Sequence, residues 1–365
     1  MKKQPIRLAV LLQDLEFGGT QRYAVNLLKH LNRERFLPEL WLLRGGDHMR
    51  PLAEDAGIKI VRFSESLEVV TPFAVFRLLF HILRSRPRIL YTLTVVPNIW
   101  GRVWGRLARV PAIVSGSRNV IAEPFEKYLW RLSTRIICNA EAGRDFLVRE
   151  FGTDPERIAV IPNAVDTEHF APNNVRKAPD PTILYVGRLE EQKNPLNLLK
   201  AFRLVKNEVP DARLIIMGNG RLRSGLQQFI RSHSLDESVQ MLPGRMDAAA
   251  YFRSAWVFAL ASRYEGSPNV VIEAMSSGLP VAATRVGGVP ELVQHRKTGL
   301  LVEPNDCRSL KTALATLLTD EAQRKAMGRK SREVALDLHS LKKMARDTEH
   351  VLWDAALDVG KKSRP

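Results

Sequence analysis

The chain has few cysteines and no long apolar segment. Its 365 residues include two cysteines, Cys138 and Cys307, which lie far apart in the sequence. Disulfide frameworks and zinc sites use several cysteines at short spacings, so the sequence predicts neither. No apolar run approaches the roughly 18 residues that a membrane-spanning helix needs. The run after the first basic residues, about six residues long, is also shorter than a signal peptide requires and reads as a strand. The expected location is the cytoplasm.

Acidic residues are also in the minority. The chain has 55 Lys and Arg against 39 Asp and Glu, a net charge of +16, and residues 1–165 hold 25 of the basic and 16 of the acidic residues. An arginine-rich tail, a zinc-finger spacing and an RNA-binding aromatic signature are all missing, so nucleic acid is not an expected partner. An anionic lipid surface or a phosphorylated acceptor fits this charge. The alternative is a basic surface with no specific partner.

Apolar segments alternate along the chain in a pattern typical of two doubly wound α/β domains, and the length is sufficient for both. The strands predicted in the first half cover residues 6–14, 39–43, 58–63, 89–93, 112–115, 135–138 and 157–161. The helices predicted between them cover residues 20–31, 72–86, 98–109, 123–134 and 140–151. Residues 171–181 lose this periodicity and are rich in proline, which is typical of a linker.

Residues 263–278 are the most informative stretch. A strand-like run ends at Ser262, a loop holds Glu265, Gly266 and Ser267, and Pro268 is predicted in the first turn of a helix that ends near Gly278. The unpaired N–H groups of that first turn make an anion site that suits a phosphate. Glu273 lies about one and a half turns further on, so the two carboxylates flank the phosphate site. Carboxylates accept hydrogen bonds from hydroxyls, and a nucleotide sugar carries hydroxyls on both sides of its phosphates.

A glycosidase is the weaker interpretation of these two carboxylates. The catalytic pair of a glycosidase lies about 5 Å apart in retaining enzymes and under about 10 Å apart in inverting ones. Eight residues of helix span about 12 Å.

Other loops follow predicted strands and combine glycine with cations. Gly18-Gly19 follows the first strand, and Gly187 with Arg188 and Lys193 follows a strand that starts at Thr182. Two cations at the carboxyl end of a strand suit a diphosphate. Taken alone, the Gly18-Gly19 pair is a weak signal, because a tight turn of this kind needs no ligand.

Glu265 and Glu273, with seven residues between them, resemble the paired-glutamate motif of the retaining glycosyltransferases of family 4. The resemblance covers nearly the whole chain and includes the Gly18-Gly19 loop, the Ile161–Phe170 segment and the Arg188 and Lys193 positions. It implies that Glu273 holds the ribose hydroxyls, that Glu265 meets the donor sugar and that Arg188 and Lys193 bind the diphosphate. The other positions that it assigns to the substrate or nucleotide are Gly18, Gly19, Gly187, Gly218, Gly220, Arg245, Met246, Gly266, Ser267, Pro268, Asn269 and Val270.

The sequence departs from the family pattern in three places, one of which is Ala164, where the family more often has Gly. Gln21 stands where the family usually has Glu, and no histidine occurs between His81 and His169, where members commonly place one. Arg118 and Asn119 are candidates for that acceptor-side catalytic role. An ordinary polar loop is the alternative.

The resemblance implies the GT-B architecture, two doubly wound Rossmann-like domains facing a cleft. The expected boundaries are an acceptor-binding domain at 1–170, a linker at 171–181, a nucleotide-sugar domain at 182–336 and a C-terminal helix at 337–365 that crosses back to the first domain.

The implied reaction is the transfer of a sugar with retention from a nucleotide-diphosphate sugar to a glycan or lipid-linked acceptor, in the synthesis of cell-surface polysaccharide or lipopolysaccharide. A UDP-sugar is favoured as the donor and GDP-mannose comes next. Neither a metal nor another cofactor is expected, because Arg188, Lys193 and the helix start supply positive charge and the chain lacks an Asp-x-Asp pair. The alternatives are a catalytically silent homologue that acts as a binding subunit, and a dinucleotide-dependent oxidoreductase. The glycine loops do not match the Gly-x-Gly-x-x-Gly motif of the latter.

Two segments of the first half combine apolar and basic residues at helical spacing. One has Phe73, Phe76, Leu79, Phe80 and Leu83 followed by Arg84, Arg86 and Arg88, and the other has Trp100, Val103, Trp104 and Leu107 beside Arg102, Arg106 and Arg109. Such stripes either lie in a membrane interface or form the core face of a surface helix. The first interpretation predicts peripheral attachment to the inner face of a membrane through Trp100 and Trp104.

Overall fold

The computed structural model describes residues 4–16, 18–118, 125–173, 175–244 and 247–362. Its contacts divide the chain into two compact units, Met1–Asn163 with Leu341–Pro365, and Ala164–Ser340. The predicted first domain ended later, at residue 170. Residues 164–170 instead belong to the second unit, where the Val165 N–H donates to the His339 carbonyl and Arg332 donates to the Thr167 carbonyl.

The first unit contains a parallel sheet with the strand order β3-β2-β1-β4-β5-β6-β7 among its described residues. Its strands are β1 (Ile6–Leu12), β2 (Phe36–Leu42), β3 (Lys59–Arg62), β4 (Ile89–Thr92), β5 (Ala112–Ser117), β6 (Arg135–Cys138) and β7 (Ile158–Val160). Its helices are α1 (Gly19–His30), α2 (Arg50–Asp55), α3 (Pro72–Ser85), α4 (Val95–Leu107), α5 (Glu126–Leu129) and α6 (Glu141–Phe151), with 3-10 turns at Trp130–Leu132 and Pro155–Arg157.

The second unit contains a parallel sheet with the order β10-β9-β8-β11-β12-β13 among its described residues. Its strands are β8 (Thr182–Val186), β9 (Arg213–Met217), β10 (Val239–Leu242), β11 (Val257–Leu260), β12 (Val281–Thr284) and β13 (Gly299–Val302). Its helices are α7 (Pro195–Val205), α8 (Arg223–Ser232), α9 (Ala249–Ser254), α10 (Asn269–Ser276), α11 (Val289–Leu292), α12 (Cys307–Thr319) and α13 (Glu321–Leu338).

Both faces of the second sheet are covered. Along β8, Ile183 and Tyr185 belong to one apolar core and Leu184 belongs to the other. Successive side chains of a strand point to opposite faces, so a sheet buried on both sides needs the nearly continuous apolar runs that the sequence has here.

The strand order reverses once in each sheet, between β1 and β4 in the first unit and between β8 and β11 in the second. In parallel α/β sheets, ligands bind at the carboxyl ends of the strands that flank such a reversal. The loops after β1, β8 and β11 are the ones that carry Gly18-Gly19, Arg188 and Glu265.

The final helix, α14 (Leu341–Lys362), belongs to the first unit. Its Leu352, Ala355 and Ala356 are fully buried there, and the Trp353 ring lies 5.9 Å from that of Phe36. Among the described residues, no helix is both long enough and apolar enough to span a bilayer.

The two stripes differ from their predicted arrangement. Phe73 and Phe80 are 69% and 72% exposed, because the core side of α3 is formed by smaller side chains such as Ala74 and Leu78. The core-face interpretation is therefore wrong for α3. On α4, Arg102 was grouped with the surface cations but is buried. Its Nη1 donates to both carboxylate oxygens of Glu126 at 2.8 Å.

Two helix predictions also need correction. The helix predicted at 123–134 is, within the described residues, the short α5 followed by a 3-10 turn. The six-residue α2 was missed, because fewer than two turns give no recognisable apolar period.

Candidate functional site

Lys193 and Glu265 form a buried ion pair at the carboxyl edge of the second sheet. The Lys193 Nζ lies 2.5 Å from Oε1 of Glu265, and the Ser262 hydroxyl donates to the same oxygen at 2.6 Å. Glu265 is 4% exposed, and the Lys193 side chain is 13% exposed. A buried charge is tolerated when it is paired and hydrogen-bonded, and both conditions hold here. Lysine has three N–H donors, so Lys193 can bind an anion without releasing Glu265.

The loop after β8 is bonded to the loop after β11. The Gln192 side chain donates to the Tyr264 carbonyl at 3.1 Å, and the Arg263 N–H donates to the Gln192 carbonyl at 2.8 Å. Arg188 in turn donates to the Gln192 side-chain oxygen at 2.8 Å. These bonds bring Arg188, Lys193 and Glu265 together at one edge of the sheet.

Tyr185 lies beneath this loop, and its hydroxyl donates to the Arg188 carbonyl at 3.0 Å. Burial raises the pKa of Tyr185 well above its usual value, and the nearby Glu265 carboxylate raises it further. The phenol therefore stays neutral and acts as a fixed donor that shapes the Arg188 turn.

Helix α10 begins at Asn269, one residue later than predicted. Pro268 occupies the N-cap position with an extended backbone, ψ 114°, so it precedes the first turn instead of belonging to it. The Val271 N–H donates to the Pro268 carbonyl at 3.1 Å. A proline side chain cannot accept the N–H groups of Asn269 and Val270, so these two suit an anion. Asn269 Oδ1 is buried and has no hydrogen-bond partner within the part of the chain that the structure describes.

Glu273 lies on α10 in its second turn and is 4% exposed. Of the other positions assigned to the nucleotide, Ser267 and Pro268 are buried, and Gly266 and Val270 are half-buried. The helix ends at Ser276 with Ser277 as its C-cap, which confirms the predicted end near Gly278.

Gly218 and Gly220, two of the positions that the family resemblance assigns to the substrate or nucleotide, permit close approach of the backbone. A Cβ on Gly218 would lie 1.9 Å from the Gly187 carbonyl oxygen, and one on Gly220, with φ +153°, would lie 2.5 Å from the Leu189 oxygen. The turns after β8 and β9 therefore pack directly on each other. Arg245 and Met246, also assigned to the substrate or nucleotide by the resemblance, lie outside the described residues.

In the first unit, Gly18 is the N-cap of α1 and Gly19 is its first residue. The strand, glycine turn and helix predicted here are therefore present. Gln21 donates to the Asp14 carboxylate at 2.9 Å, and Asp14 pairs with Arg44 at 2.7 Å. A glutamate at 21 would place two like charges together, so Gln21 suits this neighbour.

Arg118 follows β5 at the same edge of the first sheet. Its guanidinium carbon lies 3.3 Å from the centre of the Tyr23 ring, and its Nη1 donates to Asn163 at 2.6 Å. The Tyr23 hydroxyl lies 3.1 Å from that of Tyr91. The structure thus places Arg118 next to the helix that follows Gly18-Gly19. Asn119, its proposed companion, lies outside the described residues.

Sequence reasoning missed the side chains that hold these groups in place, above all Ser262, Gln192 and Tyr23. Ser262 ends a predicted strand, and Gln192 lies in the loop after another. This position at the carboxyl end of a strand is the sequence feature that could have identified both residues. Among the described residues, no three His, Cys, Asp or Glu side chains are grouped so that they could hold a metal.

Comparison with known proteins identifies the family. The model described as "Glycosyl transferases group 1" matches residues 166–334, and the model described as "Glycosyltransferase Family 4" matches residues 17–169. UDP-Gal:alpha-D-GlcNAc-diphosphoundecaprenol alpha-1,3-galactosyltransferase of Escherichia coli is 31% identical over 258 residues, which are 64% of this chain and 67% of that enzyme. The chain belongs to glycosyltransferase family 4.

Two further relatives match this glycosyltransferase over about half of its length. A 4-alpha-N-acetylgalactosaminyltransferase of Campylobacter jejuni, named for a diphospho-undecaprenol acceptor, is 32% identical over 58% of each chain. A D-inositol 3-phosphate glycosyltransferase of Corynebacterium kroppenstedtii is 33% identical over 53% of this chain, and the match spans 48% of that enzyme. This glycosyltransferase therefore matches only about half of the latter's length.

Solved structures share the fold over almost the whole chain. Anabaena HepE in complex with UDP-glucose has a TM-score of 0.82 at 20% identity and covers 96% of this chain and 100% of its own. The lipopolysaccharide outer core galactosyltransferase WaaB has a TM-score of 0.76 at 15% identity, and the match covers 96% of this chain and 99% of WaaB. The glycosyltransferase has the predicted GT-B fold, and this family assignment removes the oxidoreductase alternative.

Proposed function

We propose that the protein transfers a glycosyl group, with retention, from a nucleotide-diphosphate sugar to an acceptor. The observation that carries this proposal is the buried pair of Lys193 and Glu265 beside the start of α10. Lys193, Arg188 and the first N–H groups of α10 would stabilise the negative charge that develops on the departing diphosphate. Glu265 would meet the donor sugar and Glu273 the ribose.

The catalytic power of this arrangement comes from charges that are fixed before the donor binds. Lys193 is held by Glu265, Arg188 is held by Gln192, and the loop carrying both is tied to the loop after β11. Preorganised donors need little rearrangement in the transition state, so they lower the barrier more than mobile cations would. No metal is part of this proposal, because these groups already supply positive charge.

A UDP-sugar is the proposed donor, followed by GDP-mannose. The E. coli relative is named for UDP-Gal, and HepE was solved with UDP-glucose. A lipid-linked glycan is the proposed acceptor, since the E. coli and C. jejuni relatives are named for undecaprenol-linked acceptors. The proposed setting is the synthesis of surface polysaccharide or lipopolysaccharide at the cytoplasmic face of a membrane.

A panel of UDP-, GDP- and ADP-sugars tests the donor by the shift in unfolding temperature. A ligand at 100 times its dissociation constant should stabilise the unit that binds it by about 2.7 kcal/mol. The released nucleotide diphosphate is then measured for the donor that shifts the transition, with a lipid-linked glycan as the acceptor and with and without a chelator. We expect turnover in both conditions. Binding without any turnover would identify a silent binding subunit, and a strict need for Mg²⁺ or Mn²⁺ would contradict the assigned diphosphate contacts.

A further inference from the structure

Helix α3 presents a large apolar surface on its solvent side. Phe73, Phe76, Phe80 and Leu83 are 69%, 56%, 72% and 49% exposed. Their spacing of three and four residues places them along one side of the helix, opposite the buried Ala74, Val75, Leu78 and Ile82. We call these four exposed residues the α3 face. Surface helices normally carry polar residues on this side, and contiguous apolar patches of this kind mark interaction sites.

The α3 face continues onto neighbouring elements. The Phe76 ring lies 6.2 Å from that of Trp104 on α4, which stacks on Trp100 at 5.3 Å. Leu107, at the end of α4, is 64% exposed. Leu67 and Val69, in the loop before α3, are 69% and 61% exposed. The apolar surface therefore spans two helices and one loop of the first unit.

The surroundings of this surface are mostly basic, although the exposed Glu68 lies between Leu67 and Val69. Residues 69–122 contain eight arginines and no Asp or Glu. Arg102 is buried in its bond to Glu126, but Arg84, Arg86, Arg106 and Arg109 are exposed, and no carboxylate within the described residues pairs with them. Arg84 follows Phe80 by four residues, so it lies beside the α3 face. Arg7 and Arg84 also line a cavity of about 400 Å³ near the end of α3, together with the ion pair of Lys59 and Glu39.

The α3 face begins at the edge of the first sheet where the acceptor is proposed to bind. Helix α3 connects the parallel strands β3 and β4, so it begins at their carboxyl edge and runs back toward the opposite edge. Gly18-Gly19 and Arg118 lie at that same carboxyl edge of the first sheet. Leu67, Val69 and Phe73 thus lie at the edge where an acceptor would bind.

We propose that the α3 face docks onto a bilayer containing anionic phospholipid, with its phenylalanines in the interface and the arginines on the lipid phosphates. This deepens the proposed function, because it rests on an acceptor that is presented in a membrane. It also replaces Trp100 and Trp104 as the principal contacts, since both are half-buried and pack against the core. A second copy of the chain fits less well, because pairing two such faces would oppose arginine with arginine.

Cosedimentation with vesicles tests the proposal on the full chain. We expect binding to vesicles that contain phosphatidylglycerol and at least tenfold weaker binding to pure phosphatidylcholine. Binding should fall steeply as salt rises, because the attraction is screened over roughly 8 Å at physiological ionic strength. The variants Phe76→Ser with Phe80→Ser, and Arg84→Gln with Arg106→Gln, should each lower the bound fraction at least tenfold.

Matched controls come from the same unit. Leu52 on α2 is 44% exposed, and the Arg149 side chain on α6 is 72% exposed and paired with Glu150. Leu52→Ser and Arg149→Gln should bind vesicles like the unmodified protein. Unfolding curves check that each variant is folded.

Three results would overturn the proposal. One is a protein that stays in the supernatant with phosphatidylglycerol vesicles at low salt. Another is equal vesicle binding by the two double variants and their controls. The third is a dimer in solution that Phe76→Ser with Phe80→Ser converts to a monomer. Donor turnover measured without vesicles separates this proposal from the proposed function, because neither double variant touches the donor residues.

Discussion

Glu265 and Glu273 are both buried, but they are held by different elements and should respond differently to substitution. Glu273→Gln removes the charge proposed to bind the ribose hydroxyls, so we expect the dissociation constant for UDP to rise at least tenfold. This corresponds to about 1.5–3 kcal/mol for a charged hydrogen bond. Glu265→Gln should lower kcat by a similar factor and leave UDP affinity within about threefold. UDP titration and turnover measure the two effects, and unchanged affinity in Glu273→Gln would contradict the ribose assignment.

Arg102 and Arg106 lie one helical turn apart on α4 and offer a matched pair for stability. Arg102 is buried, forms an ion pair with Glu126 and donates to the Ser115 hydroxyl at 3.1 Å. Arg106 is exposed. Arg102→Ala leaves Glu126 without its partner and should lower the free energy of unfolding by about 3–5 kcal/mol. Arg106→Ala should change it by less than about 0.5 kcal/mol. Denaturant unfolding measures the free energy of unfolding of both variants. Equal losses would show that the pair of Arg102 and Glu126 does not stabilise the first unit.

Several candidate site residues could be proposed from the sequence, whereas the contacts that support them could not. Arg188, Lys193 and Glu265 follow predicted strands and match the family motif. Ser262 and Gln192 carry no motif, and their roles arise because β8 and β11 are neighbours in the sheet. That adjacency joins residues 72 positions apart and is a property of the tertiary structure alone.

At the scale of elements, the turn after β12 supports the loop that carries Glu265. Gly287 has φ +50°, and a Cβ there would lie 1.7 Å from the Glu265 carbonyl oxygen. The next residue, Gly288, donates its N–H to the Gly266 carbonyl at 2.9 Å. The two loops are therefore in direct backbone contact, and only glycine fits at 287.

Gly287→Ala should consequently displace the Glu265 loop. We expect at least a tenfold loss of donor turnover and a loss of about 1–3 kcal/mol in stability. Gly225→Ala on α8 is the control, since a Cβ there meets nothing within 4 Å and alanine favours helix. Turnover and unfolding curves are compared for both variants. Wild-type turnover in Gly287→Ala would mean that the loop position does not matter for the reaction.

Strands and long helices were the most predictable elements. The predicted strands at 89–93 and 135–138 differ from the structure by at most one residue. The orientation of α3 was not predictable, because both of its sides are apolar. Its larger side chains form the more conspicuous stripe in the sequence, but the smaller ones face the core.

At the scale of the whole molecule, the first unit depends on the last helix of the chain. Thr348 is fully buried and lies 3.2 Å from the Tyr23 hydroxyl, and Glu349 accepts from the Asn32 N–H at 2.5 Å. A chain that ends at Ser340 would expose the core residues that α14 covers. We expect its first unit to unfold at a lower temperature, and the second unit to keep its transition.

Calorimetry resolves the two transitions, and UDP should still shift the transition of the second unit in the shortened chain. Identical curves for the full and shortened chains would show that α14 contributes nothing to the first unit. The sequence alone indicated a final helix, and only the family resemblance indicated that it returns to the first domain.

The return of α14 also affects the order in which the protein can mature during its own synthesis. The second unit is one continuous segment, whereas the first unit needs residues from both ends of the chain. At roughly 5–20 residues per second, a ribosome makes the 164–340 segment in about 10–35 seconds. Throughout that interval the nascent first unit lacks its closing helix, so its core cannot close until the last residues of the chain have been made.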